Sequence, residues 1–293
     1  VLGNLCSLYF TIDSLYRDMK LAILLATYNS ARYLAELLNS LVNQTYRDFT
    51  LYVRDDGSTD STLQILESYQ PKFDNMVILH DSVTSRRAMG SFFWMLENID
   101  ATYYMFCDHD DIWMPQKVEL SLAKIREIER DNRPALVCCD LVVTDSNLNT
   151  IGPSLWSYMK LRPELLTKLK YAISCNLFTG CTMIINRAAR DISLPISPRA
   201  VMHDSWIGLR VLTAGGDVAW IPTPLILYRQ HTDNLFGAHR VSRCRSYYLH
   251  KLRTIKGVIA TYRQNFLMAK DALGGRVSVA QYLFYRILYL IRR

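Results

Sequence analysis

The acidic residues of this chain are grouped where chemistry is commonly done. Asp55-Asp56-Gly57-Ser58-Thr59-Asp60 follows one apolar run, Asp108-His109-Asp110-Asp111 follows another, and Asp140 ends a third. Carboxylates gathered at one edge repel one another unless a cation or a bound donor group neutralises them. The D-G-S-T-D string by itself reads as a turn followed by a helix cap. Three acids in four residues directly after an apolar strand exceed what a turn needs. A hard divalent cation, Mg2+ or Mn2+, accounts for the group, because it takes one or two carboxylates together with substrate phosphate oxygens and water. The sequence has no Cys/His set at zinc spacing. It also has no G-x-x-x-x-G-K-[ST] loop and no G-x-G-x-x-G after the first strand, so phosphate bound here is held mainly through metal.

The elements that must position these acids read as alternating short strands and helices. Strands are expected at 21–26, 50–54, 76–79, 103–107, 136–139 and 181–185, with a pair at 218–221 and 225–228. Leu34, Leu37, Leu38, Leu41 and Val42 form a helical stripe. Thr59-Asp60 is placed to cap a helix carrying Leu63, Ile65 and Leu66, and Pro115 suits the first turn of a helix reaching Ile128. The early strands are continuously hydrophobic, so they are buried on both faces, as in a mostly parallel α/β sheet covered by helices. Such sheets bind ligands at the carboxyl ends of their strands, here just after residues 26, 54, 107 and 139.

The 293 residues suffice for one large domain with an extension, and half of them are hydrophobic, which excludes a disordered chain. None of the seven cysteines forms a C-x-x-C pair, and most sit in apolar runs, so they read as buried free thiols of a reducing compartment. The formal net charge of +7 is segregated: residues 240–293 hold twelve Lys/Arg against Asp271 alone, which leaves the rest at −4. A mildly acidic body with a basic tail differs from a uniformly basic nucleic-acid binder; the tail suits an anionic membrane surface at least as well as a polynucleotide, and no nucleic-acid partner is expected. No run is long and apolar enough to span a bilayer. Residues 1–18 lack the basic start and the cleavage site of a signal peptide and read as an N-terminal extension. The expected organisation is that extension, a body at 19–239 and a basic helical segment at 240–293. The protein is expected in the cytoplasm, peripheral on the inner face of the membrane. Within 277–293, Val279, Ala280, Leu283, Phe284, Ile287, Leu290 and Ile291 share one helix face, while Gln281, Arg286, Arg292 and Arg293 lie off it. Such a helix can lie in the interface with Tyr282, Tyr285 and Tyr289 at head-group depth; the alternative is packing on the protein's own core or on a second subunit of a homodimer.

The segment LAILLATYNSARYLAELLNSLVNQTYRDFTLYVRDDGSTDSTLQIL closely resembles the amino-terminal half of inverting family 2 glycosyltransferases with the GT-A fold, a Rossmann-like nucleotide-diphospho-sugar transferase fold. The later strings CDHDDIWMPQKV, FTGCTMIINRA, MHDSWIGL and YRQHTDN resemble the subgroup that often transfers rhamnose or related sugars in bacterial surface polysaccharide assembly, including lipopolysaccharide. The resemblance runs in order from Leu21 to His231. It implies that Ala26, Thr27, Tyr28 and Asn29 lie along the donor nucleotide, with Tyr28 near the base, and that Asp56 accepts the imino hydrogen of a uracil or thymine ring. Asp108 and Asp110 match the family's D-x-D element. Asp110 is the implied metal ligand, and Asp108 reaches the ribose or a metal-bound water. Asp111 lies behind the metal or caps the helix after Pro115. Asp204 matches the catalytic base; capping of helix 205–212 is the rival role. His231 is an implied metal or diphosphate contact. Arg229, Gly180, Cys181, His203 and Trp206 are implied around the diphosphate, sugar or acceptor. Two of these have a simpler reading, Trp206 as core and Cys181 as a small filler, since inversion needs no covalent intermediate. Ser91 departs from the pattern, standing where many relatives have Asn before Phe.

The expected activity is transfer of a sugar, rhamnose among the candidates, from a dTDP- or UDP-linked donor to a hydroxyl of a glycan or lipid-linked acceptor. Two rivals use the same acids. A metal-dependent nucleotidyltransferase or phosphoesterase usually needs further His/Asp ligands, and His109, His203 and His231 form no such set. A non-catalytic nucleotide-sugar binder has no need of Asp204.

Overall fold

Every residue of strand β1 (Leu21–Thr27) is buried. Its side chains divide between two apolar clusters, with Ala22, Leu24 and Ala26 on one side of the sheet and Leu21, Ile23 and Leu25 on the other. A strand covered on both faces has no solvent side for alternation to mark, hence the continuous apolar run. The structure, a computed structural model, describes residues 20–81, 83, 87–231 and 255–292. The expected extension at 1–18 and the expected boundary between 239 and 240 lie outside these residues.

After β1 come α1 (Leu34–Val42), β2 (Thr50–Asp55), α2 (Thr62–Tyr69), β3 (Met76–Leu79), α3 (Arg87–Asn98), β4 (Tyr103–Asp108), β5 (Ile112–Trp113) and α4 (Lys117–Ile128). Then follow β6 (Ala135–Thr144), β7 (Thr150–Gly152), α5 (Leu155–Tyr158), α6 (Leu169–Ala172), β8 (Met183–Asn186), α7 (Arg187–Ser193), α8 (His203–Thr213), β9 (Asp217–Arg229), α9 (Ile255–Ala272) and α10 (Val279–Arg292). Among the described residues the sheet order is β3-β2-β1-β4-β8-β6-β9-β5, with β7 added to β6. The β3-β2-β1-β4 half is parallel. Strand β8 runs antiparallel between β4 and β6, and β6 and β9 are parallel again.

Several boundaries differ from expectation for local reasons. The pair at 218–221 and 225–228 is the single strand β9, because register shifts at Cys139/Asp140, where Pro222 and Thr223 are stepped over, and at Asp140/Val142 carry the ladder past prolines that cannot donate to it. Cys181 belongs to a short 3-10 turn, Gly180–Thr182, instead of opening β8. Asp60, without Thr59, serves the start of α2: its Oδ1 accepts from the Thr62 N–H at 3.0 Å. Asp140 does not end its strand, since β6 continues to Thr144. Its buried carboxylate accepts from Ser154 and from the Leu155 N–H, fixing the start of α5.

The C-terminal helices share the main core. Met268, Ala269, Ala272, Leu273, Val277, Tyr282 and Tyr289 join the same apolar cluster as Ala22, Leu24 and Ala26. Tyr282 and Tyr289 are therefore buried in protein, which corrects their expected place at head-group depth.

Candidate active site

Three parallel strand ends meet at one edge of the sheet: Thr27 of β1 is level with Asp55 of β2, and Ala26 with Asp108 of β4. Asp55 shapes the turn. It accepts from the Thr27 hydroxyl at 2.8 Å and from the Gly57 and Ser58 N–H groups, and Gly57 takes φ +89°. Asn29, also left-handed at φ +47°, accepts from the Thr59 N–H at 2.9 Å and donates its own N–H to Ser58 Oγ at 2.8 Å. The two loops are thus stitched together, and Tyr28 is left 57% exposed beside them. Asp56 is buried between the Arg54 guanidinium (2.9 Å) and the Arg87 N–H (2.9 Å). Arg54 also donates to Ser91 Oγ at 2.8 Å and to Asp81. Ser91, the departure from the family pattern, therefore braces Arg54. Sequence reasoning passed over Arg54, although a cation inside a doubly covered strand must find counter-charges.

Asp110 Oδ2 and His231 Nε2 lie 2.9 Å apart. The His231 ring packs at a tilt against Tyr33, with centroids 5.0 Å apart, and the Arg229 guanidinium covers the same tyrosine at 4.3 Å. Arg229 does not take the expected place as a phosphate contact. Its side chain is buried and donates to the Asp110 carbonyl, the Ser146 carbonyl and Glu36, so it braces the strand end. Asp111 is no helix cap either; its Oδ1 accepts from the Arg229 N–H at 3.2 Å. Burial, then Asp110 and Asp108, push its carboxyl well above the usual range. Burial, then Asp110 and Asp204, likewise push Asp108 up.

Cys181 completes a close group with Asp108 and Asp111, their polar atoms lying within 4.8 Å of one another. Burial holds its thiol far above the usual value, which argues against a nucleophile, and a sulfur donor suits neither Mg2+ nor Mn2+. The donors fit to hold a cation are thus carboxylate oxygens and one imidazole, a set suited to Mg2+ or Mn2+. Lys117 sits beneath, fully buried, with Nζ 3.2 Å from the Trp113 ring centre, and it partly offsets the neighbouring negative charge.

Asp204 lies in the first turn of α8, whose cap position is Met202, so it is not the capping residue. Its Oδ1 accepts from Asn176 Nδ2 at 3.1 Å and from the Ser205 N–H at 2.5 Å, and the Gly180 N–H also serves it. Burial nonetheless pushes its carboxyl up to about 6. Asn176 was missed in the sequence, where nothing about its neighbours marks it. Gly180 is required because a Cβ there would come within 2.4 Å of His203 Nε2. His203 itself is buried against Phe92 and Phe106 at 4.5 and 5.0 Å, and burial pushes it down to about 3. It is a neutral filler under the Gly180 turn and not an acceptor contact. Trp206 does not wall a sugar site: it is buried in the core and donates Nε1 to the Ser193 carbonyl at 2.8 Å.

Residues 22–192 match the model of Glycosyl transferase family 2. The chain belongs to this family. Among curated family 2 relatives, it is 28% identical over 238 residues to the dTDP-rhamnosyl transferase RfbG of Shigella flexneri, covering 73% of this chain and 74% of that one. It spans about half the length or less of several other curated glycosyltransferases that it matches. The crystal structure of S. aureus TarS 1–349 with UDP-GlcNAc superposes with a TM-score of 0.59 at 21% identity, over 92% of this chain and 73% of that one. The mannosyltransferase PcManGT of Pyrobaculum calidifontis, in complex with GDP-Man and Mn2+, gives 0.53 at 15% identity, over 93% and 83%. The family 2 chain therefore has the GT-A-like fold expected from its sequence, a mostly parallel α/β sheet with a helical C-terminal part.

Proposed function

We propose that this protein transfers a sugar, with inversion, from a dTDP- or UDP-linked donor to a hydroxyl of a glycan or lipid-linked acceptor in polysaccharide assembly. The observation that carries the reading is the placement of Asp204. A carboxyl raised toward neutrality and held by Asn176 and the Gly180 N–H stands close enough to Asp108 that the two negative charges oppose each other. The Asp204 carboxyl thereby stands near the edge where, in this reading, Asp108 and Asp110 meet the donor, which supports its assignment as the base.

In this reading Asp56 accepts the imino hydrogen of the base, with Tyr28 against the ring and the backbone of Ala26, Thr27 and Asn29 along the nucleotide. Asp110 and His231 hold Mg2+ or Mn2+, with Asp108 on the ribose or a metal-bound water; when bound, the ion neutralises the diphosphate and eases its departure. Asp204 takes the proton of the acceptor hydroxyl as that oxygen bonds to the anomeric carbon. The bond from that carbon to the diphosphate oxygen breaks, and the nucleoside diphosphate leaves with the bonding pair. Attack opposite the leaving group inverts the centre, and no protein nucleophile is involved. The likeness to RfbG favours rhamnose from a dTDP donor, and TarS and PcManGT, solved with UDP-GlcNAc and with GDP-Man and Mn2+, favour a nucleotide sugar and a divalent cation.

The test is a nucleotide-sugar panel with Mn2+, read by product release and by calorimetric binding. Release of nucleoside diphosphate with one preferred sugar supports the reading. Release of nucleoside monophosphate or pyrophosphate would assign the acids to phosphoester chemistry instead.

A further inference from the structure

Helix α10 is apolar on two sides, and among the described residues only one of them packs on the fold. Its inner side carries Tyr282 and Tyr289, buried, with Tyr282 edge-on to Phe266 at 5.5 Å, and Arg286, which donates to the Ser174 carbonyl at 3.1 Å. Its outer side presents Val279, Leu283, Phe284, Ile287, Leu290 and Ile291, each 49–72% exposed. Contiguous exposed residues of this size on one helix mark an interaction surface and not scattered surface apolarity.

We propose that this outer face lies on an anionic lipid surface. The helix contains no Asp or Glu. Arg263, Lys270 and Arg292 are exposed on the two C-terminal helices, and Arg276 is exposed on the turn between them. The acid of this segment, Asp271, is already engaged by Arg199 and Ser197. A second copy docked on this face would bring these exposed basic residues against their own counterparts, whereas anionic head groups complement them. Among the described residues no helix is long and apolar enough to cross a membrane. The 14 residues of α10 span about 21 Å against a hydrocarbon core of about 30 Å, so the helix lies flat. Its tyrosine side stays on the protein while its aliphatic side enters the interface. The lipid surface is then close to the acceptor side: Arg286 holds Ser174, two residues before the Asn176 that donates to Asp204.

Vesicle binding is measured without donor or acceptor and so stands apart from the catalytic reading. The full chain is co-sedimented with phosphatidylcholine vesicles and with vesicles of which about a third is phosphatidylglycerol. The parent should bind the anionic vesicles, more weakly as salt is raised. The double variant Leu283→Glu, Ile287→Glu should bind roughly tenfold or more weakly and melt as the parent does, because both positions face solvent. Phe284→Ser with Ile291→Ser repeats the test should the glutamates disturb the fold. Vesicle binding that survives both pairs of changes overturns the proposal. So does a parent that ignores anionic vesicles; a dimer that Leu283→Glu, Ile287→Glu dissociates in sedimentation velocity would then assign the face to a second copy.

Discussion

His231 Nε2 lies 2.9 Å from Asp110 Oδ2, across 121 residues of sequence. The contact exists because β9 runs antiparallel to β5, with Ile112 level with Leu227, and because Arg229 ties its own N–H to Asp111 and its guanidinium to the Asp110 carbonyl. The imidazole and the carboxylate are therefore held together by the sheet itself.

The first prediction is that this pair holds the cation. Chelation should abolish turnover and Mn2+ restore it. His231→Ala should raise the Mn2+ concentration needed for half-maximal activity by about 10- to 100-fold, and Asp110→Ala should remove Mn2+-dependent donor binding seen by calorimetry. Full activity in the presence of chelator would end the metal assignment.

Asp204→Asn keeps the shape and most hydrogen bonds of the proposed base but cannot take a proton. Transfer should fall by a factor on the order of 10² to 10⁴, with donor affinity retained. A variant with near-parental turnover would leave Asp204 a purely structural residue.

The Asp204 carboxyl, pushed up to about 6 by burial, must be ionised to act. Plots of kcat/KM should therefore rise with pH up to about 6 and level off above it. Asn176 donates to the carboxylate and favours its charged form, so Asn176→Ala should move the acid limb to higher pH; an unmoved limb would separate Asn176 from the base. The raised value also means that ionisation costs the fold stability. That cost is absent below the ordinary carboxylate value and grows as pH rises through the folded value. Asp204→Asn should accordingly melt a few degrees higher than the parent at neutral pH, and no higher at pH values near the ordinary carboxylate pKa.

Arg229 separates two roles by one substitution. Arg229→Lys retains a charge for a phosphate but loses the forked donation to Asp110, Ser146 and Glu36. If Arg229 braces the strand end, urea unfolding should show a loss of about 1–3 kcal/mol with donor affinity in the folded enzyme little changed. Unchanged stability with lost donor affinity would return it to the phosphate site.

Gly180→Ala places a methyl 2.4 Å from His203 Nε2. Backbone on one side and the Phe92 and Phe106 rings on the other leave little room to yield, so about 1–3 kcal/mol of stability should be lost. Adding His203→Ala should make the pair non-additive, the double variant being more stable than the two single losses summed. Strict additivity would mean that the two residues do not press on one another.

The sequence by itself determined the features that are local or periodic. Continuous apolar runs such as LAILLA arise because both faces of β1 are covered, and the acids at 55–60 and 108–111 stand directly after such strands, so the acidic edge of the sheet is legible from the sequence. The leucines of α1 were equally plain, since helical spacing puts Leu34, Leu37, Leu38 and Leu41 on one buried side. Only the tertiary structure decided what each polar residue faces. Asp140 looks like the other strand-end acids, yet β6 runs past it and its carboxylate starts α5. Trp206 and His203 flank Asp204 in sequence, but successive helical residues point some 100° apart, which sends the tryptophan to Ser193 and the histidine under Gly180. Helix α10 carries apolar surface on both sides, so periodicity alone could not say which side docks. The tyrosines do, because Phe266 and the Ser174–Cys175 turn meet them and Arg286 there, and the aliphatic face is left outward.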